Sequence, residues 1–164
     1  MILIFYALRR ELSGLRKRIA QRAPLGQGLR GFKGRLGDEQ IFLVATGIGV
    51  AQAHESARRA MLTLPRPRLV ISTGVAGALA PDLKAGHLVL ADRLLLEESP
   101  DSSFEEVARL SPDLERPVRD TLGRAGLTGD IEDLPDGCFR ASGARFAMAL
   151  ITLPGPGWPW EDGR

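Results

Sequence analysis

Leu69-Val70-Ile71-Ser72-Thr73-Gly74-Val75-Ala76-Gly77 carries an apolar run straight into a glycine-rich segment. A run this uniformly apolar at its start predicts a central strand buried on both faces, the kind that parallel sheets contain. An upstream counterpart has the same design: Ile41-Phe42-Leu43-Val44-Ala45 runs into Thr46-Gly47-Ile48-Gly49. Glycine has no Cβ, so the backbone can turn sharply and approach a ligand closely. In open α/β sheets ligands bind in the crevice beyond the carboxyl ends of the strands. A tight strand-to-helix turn needs no ligand to explain it. Two in one short domain favour a shared site for an anion or a sugar.

The elements around these runs extend the pattern. Residues 2–7 read as a buried strand, and Leu8, Leu12, Leu15 and Ile19 then recur at helical spacing. Residues 21–28 read as a loop, with Pro24 and two glycines as breakers. Residues 31–36 and 40–45 read as a hairpin joined by Gly37-Asp38-Glu39. An alanine-rich helix is predicted over 50–64, stopped by Pro65 and Pro67. Further on come a strand over 87–91, a polar loop over 97–103 and a strand near 138–141. Ser111-Pro112 opens another helix as cap and first residue, Pro117 strains it and Gly126 closes it. Strands alternating with helices predict an α/β fold with a largely parallel sheet.

Composition bounds the function. At 164 residues the chain has the size of one domain, large enough for a core without disulfides. A net charge of +2 with scattered basic residues argues against nucleic acid as a partner. Arg16-Lys17-Arg18, the one basic run, fits a solvated helix face. Cys138 stands alone, which excludes an intrachain disulfide and a cysteine-rich zinc site. No apolar stretch is long enough to span a bilayer and no signal peptide is seen, so a cytoplasmic location is expected. The last stretch differs in character. Leu153-Pro154-Gly155-Pro156-Gly157-Trp158-Pro159-Trp160 fits neither a helix nor a central strand. The domain is therefore expected over 1–152, with a Gly/Pro/Trp tail over 153–164. That tail reads as disordered, as docked on its own domain or a partner subunit, or as the product of a lost reading frame.

Each candidate site residue has a plain structural alternative. Gly47-Ile48-Gly49 fails as a dinucleotide fingerprint, since Gln52 replaces the third glycine and the next strand ends in Ser72-Thr73 rather than an acid. No Lys-Ser or Lys-Thr pair follows either turn, which excludes a P-loop. Glu11 falls just past the first strand, at the edge where a site is expected, although a carboxylate there also suits a helix dipole. His54, Glu55 and His87 lack the partners of a metal site or triad, so no metal is expected. Phe146 is a core residue or a stacking face for a flat ligand.

Taken together, these positions resemble the purine nucleoside phosphorylase superfamily. The similarity is greatest to its 5′-methylthioadenosine/S-adenosylhomocysteine nucleosidases, with the hopanoid-associated phosphorylases close behind. Ala7-Leu8-Arg9-Arg10-Glu11 resembles that branch's small residue and acidic cluster after the opening strand, with Glu11 on its water-activating Glu. Thr46-Gly47-Ile48-Gly49 is similar to its Ser-Gly-Ile-Gly turn. Ser72-Thr73-Gly74-Val75-Ala76-Gly77-Ala78-Leu79 is similar to Asn-Thr-Gly-Ser-Ala-Gly-Gly-Leu, and Leu83-Lys84-Ala85-Gly86-His87-Leu88-Val89 to the segment that follows. Ser142-Gly143 with Phe146 matches the segment whose Phe stacks on the base. Val75 departs from the family's hydroxyl residue, and Ser72 stands where family phosphorylases often place a phosphate-binding Arg.

The resemblance implies a three-layer α/β fold with a mixed central sheet, lacking the family's last strands and helices. It implies cleavage of a purine N-ribosidic bond by water or phosphate, without a cofactor. Glu11 would activate water. Gly47, Gly49, Thr73, Gly74, Val75, Ala76 and Gly77 would hold nucleophile and ribose, and Ser142, Gly143 and Phe146 the base. The family's ribose-gripping Glu and base-protonating Asp have no counterparts in the sequence, so impaired catalysis is expected. The rival expectation is a non-catalytic nucleoside-binding or subunit-interaction protein of the same fold. The small-molecule partner is a nucleoside, and a homodimer is expected. Glu11 and both glycine turns are expected to converge on one cavity.

Overall fold

In the computed structural model, residues 1–76, 88–91, 93–96, 105–110, 112–124 and 146–152 are described. They fall in two compact units, built on Met1–Val75 and on Ala76–Thr152.

The first unit is organised by β1 (Ile2–Tyr6), which pairs in parallel with β4 (Glu39–Ala45) on one side and β5 (Leu69–Ala76) on the other. The registers Ile2↔Ile41 and Ile2↔Leu69 set the three apolar runs side by side. Two antiparallel strands, β2 (Ala20–Pro24) and β3 (Gly31–Leu36), extend the sheet beyond β4, giving the order β2-β3-β4-β1-β5. The sheet is therefore mixed, and its parallel part carries the glycine segments.

Successive side chains of a strand point to opposite faces, and here each face has its own core. Leu3, Phe42, Val44 and Val70 pack on one face with Ala60 and Leu64 of the helix α2 (Val50–Thr63) and its cap. Ile4, Tyr6, Ile41 and Leu43 pack on the other with Leu12 and Ile19, which flank the short helix α1 (Ser13–Arg18). Helix, sheet and helix make three layers. Leu3, Leu43 and Val44 are wholly buried, and each such side chain contributes about 1.5–3 kcal/mol of apolar burial.

Three expectations need correction. Residues 21–28 are not all loop, since Ala20–Pro24 forms the edge strand β2. Its side chains are largely exposed and its ladder with β3 is irregular between Ala20 and Ala23. Pro24 is tolerated because an edge strand has bonds to make on one side only. The first helical segment is not continuous. A 3₁₀ turn over Arg9–Leu12 precedes α1, and Ile19 lies past the end of α1 in extended conformation. Lastly, β5 runs to Ala76, so Gly74, Val75 and Ala76 belong to a strand and not to a turn.

The hairpin between β3 and β4 is tighter than predicted. Leu36 pairs with Glu39, leaving Gly37-Asp38 as the turn. Gly37 takes φ +59°, as a two-residue hairpin turn with Gly in first place requires.

In the second unit β6 (Leu88–Leu90) pairs in parallel with β9 (Phe146–Thr152). β7 (Arg93–Leu96) and β8 (Glu105–Arg109) form an antiparallel pair that the sequence did not suggest. The helix α3 (Pro112–Arg124) starts on proline as predicted and accommodates Pro117, whose carbonyl accepts a bond from Thr121 Oγ1 at 2.7 Å. The strand expected near 138–141 and the tail lie outside the described residues.

Candidate functional site

The chain leaves β1 at its carboxyl end and folds at once into the 3₁₀ turn. This places Glu11 three residues after Leu8, the residue that caps the turn. Glu11 Oε2 accepts the backbone N–H of Ala7 at 2.9 Å and that of Leu8 at 2.8 Å. This is one half of a capping box, with the acid reaching back to donors the turn cannot satisfy internally. The other oxygen faces β5. An ideal Cβ built on Gly74 would lie 3.4 Å from Glu11 Oε1. Gly74 has ordinary strand backbone, and a Cβ there would touch the carboxylate at ordinary contact distance. Among the described residues no donor reaches Oε1.

The first glycine turn is built differently. Gly47 takes φ +81° and Gly49 φ +102°, where residues with a Cβ are strained. A side chain at Gly47 would collide with the Gln52 amide and the Arg30 guanidinium. The turn is anchored at Thr46, which is buried. Thr46 N donates to Tyr6 O at 2.8 Å, tying the end of β4 to the end of β1. Its carbonyl accepts from Arg30 Nη2 at 3.2 Å and from Ser56 Oγ at 3.3 Å. Arg30 and Ser56 were not singled out in the sequence, and Thr46 and Gln52 were noted only as neighbours of the glycines, not as partners in the site. Nothing in their spacing marks them, because β3, β4 and α2 meet only once the sheet has formed.

Two clefts open around this edge. One, of about 380 Å³, lies between Arg30, Thr46 and α2, with Glu55 and Arg59 on its rim. Glu55 pairs with Arg58 at 2.9 Å and Arg59 at 3.1 Å, and these hydrogen bonds hold its carboxyl well below the ordinary range, at about 2. The other, of about 390 Å³, is bordered by Tyr6, Ala7, Leu8, Arg9, Arg30 and Gly47. Burial pushes the Tyr6 phenol up, while Arg9, Arg16 and Arg30 each pull it down.

The remaining residues from the sequence are placed as follows. Thr73 pairs in register with Tyr6 and is half-buried, and Val75 is exposed. Ala76 ends β5 and Phe146 begins β9. Gly77, Ser142, Gly143 and His87 lie outside the described residues. The structure thus brings Glu11 onto Gly74, and sets Gly47 beside the Ala7-Leu8 segment whose amides hold Glu11. Among the described residues no three or more His, Cys, Asp or Glu side chains gather as metal ligands. No helix among them is long and apolar enough to cross a membrane.

Comparison with solved structures places this architecture. A Helicobacter pylori MTAN mutant with 5′-methylthioadenosine in its active site superposes with TM-score 0.63 at 19% identity, over 91% of this chain and 83% of that one. Native futalosine hydrolase of Helicobacter pylori gives TM-score 0.63 at 19% identity, over 93% and 82%. The 5′-methylthioadenosine/S-adenosylhomocysteine nucleosidase of Neisseria meningitidis, in complex with methylthio-immucillin-A, gives 0.64 at 17%, over 91% and 62%. At these identities the likeness is one of fold, and it is the mixed α/β nucleosidase fold. Membership rests on the sequence itself: residues 2–130 match the model of the phosphorylase superfamily, and the chain belongs to that family.

Proposed function

We propose that the protein cleaves the N-ribosidic bond of a purine nucleoside, with Glu11 activating water as the nucleophile. One observation carries this reading. The Glu11 carboxylate is divided, with Oε2 fixed by two backbone amides and Oε1 facing Gly74 without a donor among the described residues. A carboxylate held by one oxygen is oriented, and the other keeps lone pairs for a proton from water. The superfamily match and nucleosidase-like fold supply the context in which that chemistry makes sense.

Ser72 supports water over phosphate, since no guanidinium replaces it two residues before Gly74. Gly47 and Gly49 would offer backbone to the sugar, Thr73 to Gly77 would hold nucleophile and ribose, and Ser142, Gly143 and Phe146 would receive the base. Ile48 and Val50 are 68% and 82% exposed beside the first turn. Apolar side chains so exposed favour a covering surface, and a homodimer is the simplest source. The lone Cys138 suits a reducing cytoplasm.

The test is adenine release from 5′-methylthioadenosine and S-adenosylhomocysteine, with and without phosphate. Slow release that does not require phosphate is the expected result. Binding of these nucleosides without any release would favour the non-catalytic reading of the same fold.

Gly74→Ala separates room from backbone conformation. The methyl group would meet the carboxylate at ordinary contact distance, so stability should change by less than about 1 kcal/mol. Covering the flank of Oε1 should nevertheless slow base release clearly. Full activity in a normally folded Gly74→Ala protein would show that nothing approaches Glu11 from β5.

A further inference from the structure

The peptide group that joins Tyr6 to Ala7 is gripped at both ends. Its N–H, on Ala7, donates to Glu11 Oε2 at 2.9 Å. Its C=O, on Tyr6, accepts from Thr46 N at 2.8 Å and from Thr46 Oγ1 at 3.2 Å. A peptide group is planar, so the directions of its N–H and C=O are fixed together. Whatever orients the Tyr6 carbonyl therefore orients the donor on which Glu11 rests. Linked hydrogen bonds also polarise one another, so donors to the carbonyl strengthen the N–H as a donor.

Thr46 is suited to this task. It is buried, and each of its polar groups is engaged. Its N–H and hydroxyl converge on Tyr6 O. Its own C=O accepts from Arg30 Nη2 and from Ser56 Oγ, one from the segment entering β3 and the other from α2. Thr46 is thus tied to β1, to the approach to β3 and to α2 at once. The hydroxyl has a second acceptor, Gly47 O at 3.0 Å, so the same side chain also closes onto the first glycine turn. The cap on the 3₁₀ turn is complete without any of this, because Glu11 reaches the Ala7 and Leu8 amides by itself. The link from Thr46 adds a fixed direction to the amide that the carboxylate meets.

We infer that Thr46 is a positioning residue for Glu11, acting through the Tyr6–Ala7 peptide group. It aims the amide that holds Oε2, and so sets the direction in which Oε1 faces. As a device of catalysis this rests on the nucleosidase reading, whereas the fixing of the carboxylate does not.

Thr46→Val and Thr46→Ala both remove the hydroxyl and keep the backbone donor, and Thr46→Ser keeps both. Two readouts on the full chain test the inference. In base release from 5′-methylthioadenosine, Thr46→Val and Thr46→Ala lower kcat about tenfold with KM near the parent's, as misalignment of a reacting group does. Thr46→Ser recovers most of the loss. In a Glu11→Gln background the same changes cost little more, since residues that act as a unit are not additive. The second readout is amide hydrogen exchange followed by NMR, which needs no turnover. Exchange at Ala7 and Leu8 quickens about tenfold in Thr46→Val, returns in Thr46→Ser, and stays at the parent's level inside β1, as local loosening requires. Thr63→Val, which removes an exposed bond to Arg59 O at the end of α2, moves neither readout. Thermal unfolding of each variant confirms that it is folded. Unchanged kcat with unchanged Ala7 exchange overturns the inference and leaves the nucleosidase reading intact. A fall in kcat that repeats in full in the Glu11→Gln background also overturns it, because Thr46 then acts elsewhere. Ala7 and Leu8 exchange that follows Thr46 in a chain releasing no base keeps the positioning role and removes that reading.

Discussion

Glu11→Gln is expected to slow base release by about 10²–10⁴-fold, the usual contribution of a positioned general base. The substitution suits the geometry. The Gln carbonyl oxygen can still accept from Ala7 N and Leu8 N, as Gln does in capping boxes. Its NH₂ group then takes the place of Oε1 opposite Gly74, where it can donate but cannot accept a proton from water. Stability and nucleoside affinity should therefore stay near those of the parent while turnover falls. Glu11→Ala removes the cap as well and should lose about 0.5–2 kcal/mol of stability in addition. Rates and urea unfolding of both variants separate the two roles. Parent-like turnover in Glu11→Gln would mean that another group activates the nucleophile.

The second large effect falls on the fold. Gly31→Ala is expected to destabilise the protein by roughly 3–5 kcal/mol, combining a backbone region that only glycine occupies readily with overpacking. Gly31 opens β3 at φ +143°, and an added Cβ would run into the carbonyl of Leu43 in the paired strand and approach Leu25 Cδ1 at 3.1 Å. The obstacle is backbone in a sheet, so no side-chain rotation can relieve it. To make room, β3 must part from β4 where Ala45 N donates to Arg30 O at 2.8 Å. A domain of this size should lose on the order of 10 °C in Tm. A loss well under 1 kcal/mol in urea unfolding would show that the start of β3 yields easily.

What could be read from the sequence follows what each element depends on. β1, β4 and the first part of β5 are apolar on both faces because each face has a helix or its flanking residues to meet, so composition alone announces them. α2 is similarly legible, from its alanine-rich run and the prolines behind it. β2 is not, because Ala20–Pro24 is held by its ladder with β3 and buries little of its own. The extension of β5 through Gly74 was hidden for a related reason. Glycine weakens a strand locally, and what Gly74 lies against is Glu11, a residue far away in sequence.

The site divides in the same way. Glu11 was visible as a candidate because it follows a strand directly, where α/β sheets put their chemistry, and it stood out from a plain helix-dipole acid only through the family resemblance. Gly47 and Gly49 were visible as residues suited to positive φ. The second cleft was not, because Arg9, Arg16 and Arg30 come to line it only through the hairpin register and the fold of the 3₁₀ turn onto the sheet. Their scattered positions read as ordinary surface charge.

The placement of β1 between β4 and β5 also orders the birth of the molecule. Synthesis delivers β1 before either neighbour, since β4 ends at Ala45 and β5 at Ala76. At about 5–20 residues per second the interval before β5 emerges is on the order of ten seconds. The β3–β4 hairpin, once made, closes within about 1–10 μs and offers β1 its first edge. Until β5 is added, the opposite edge of β1 stays open, flanked by Leu3 and Ile4 on its two faces. Open apolar strand edges are what nascent chains misassociate through. Slowing translation between residues 45 and 76 prolongs that stage and should lower the soluble yield of the protein.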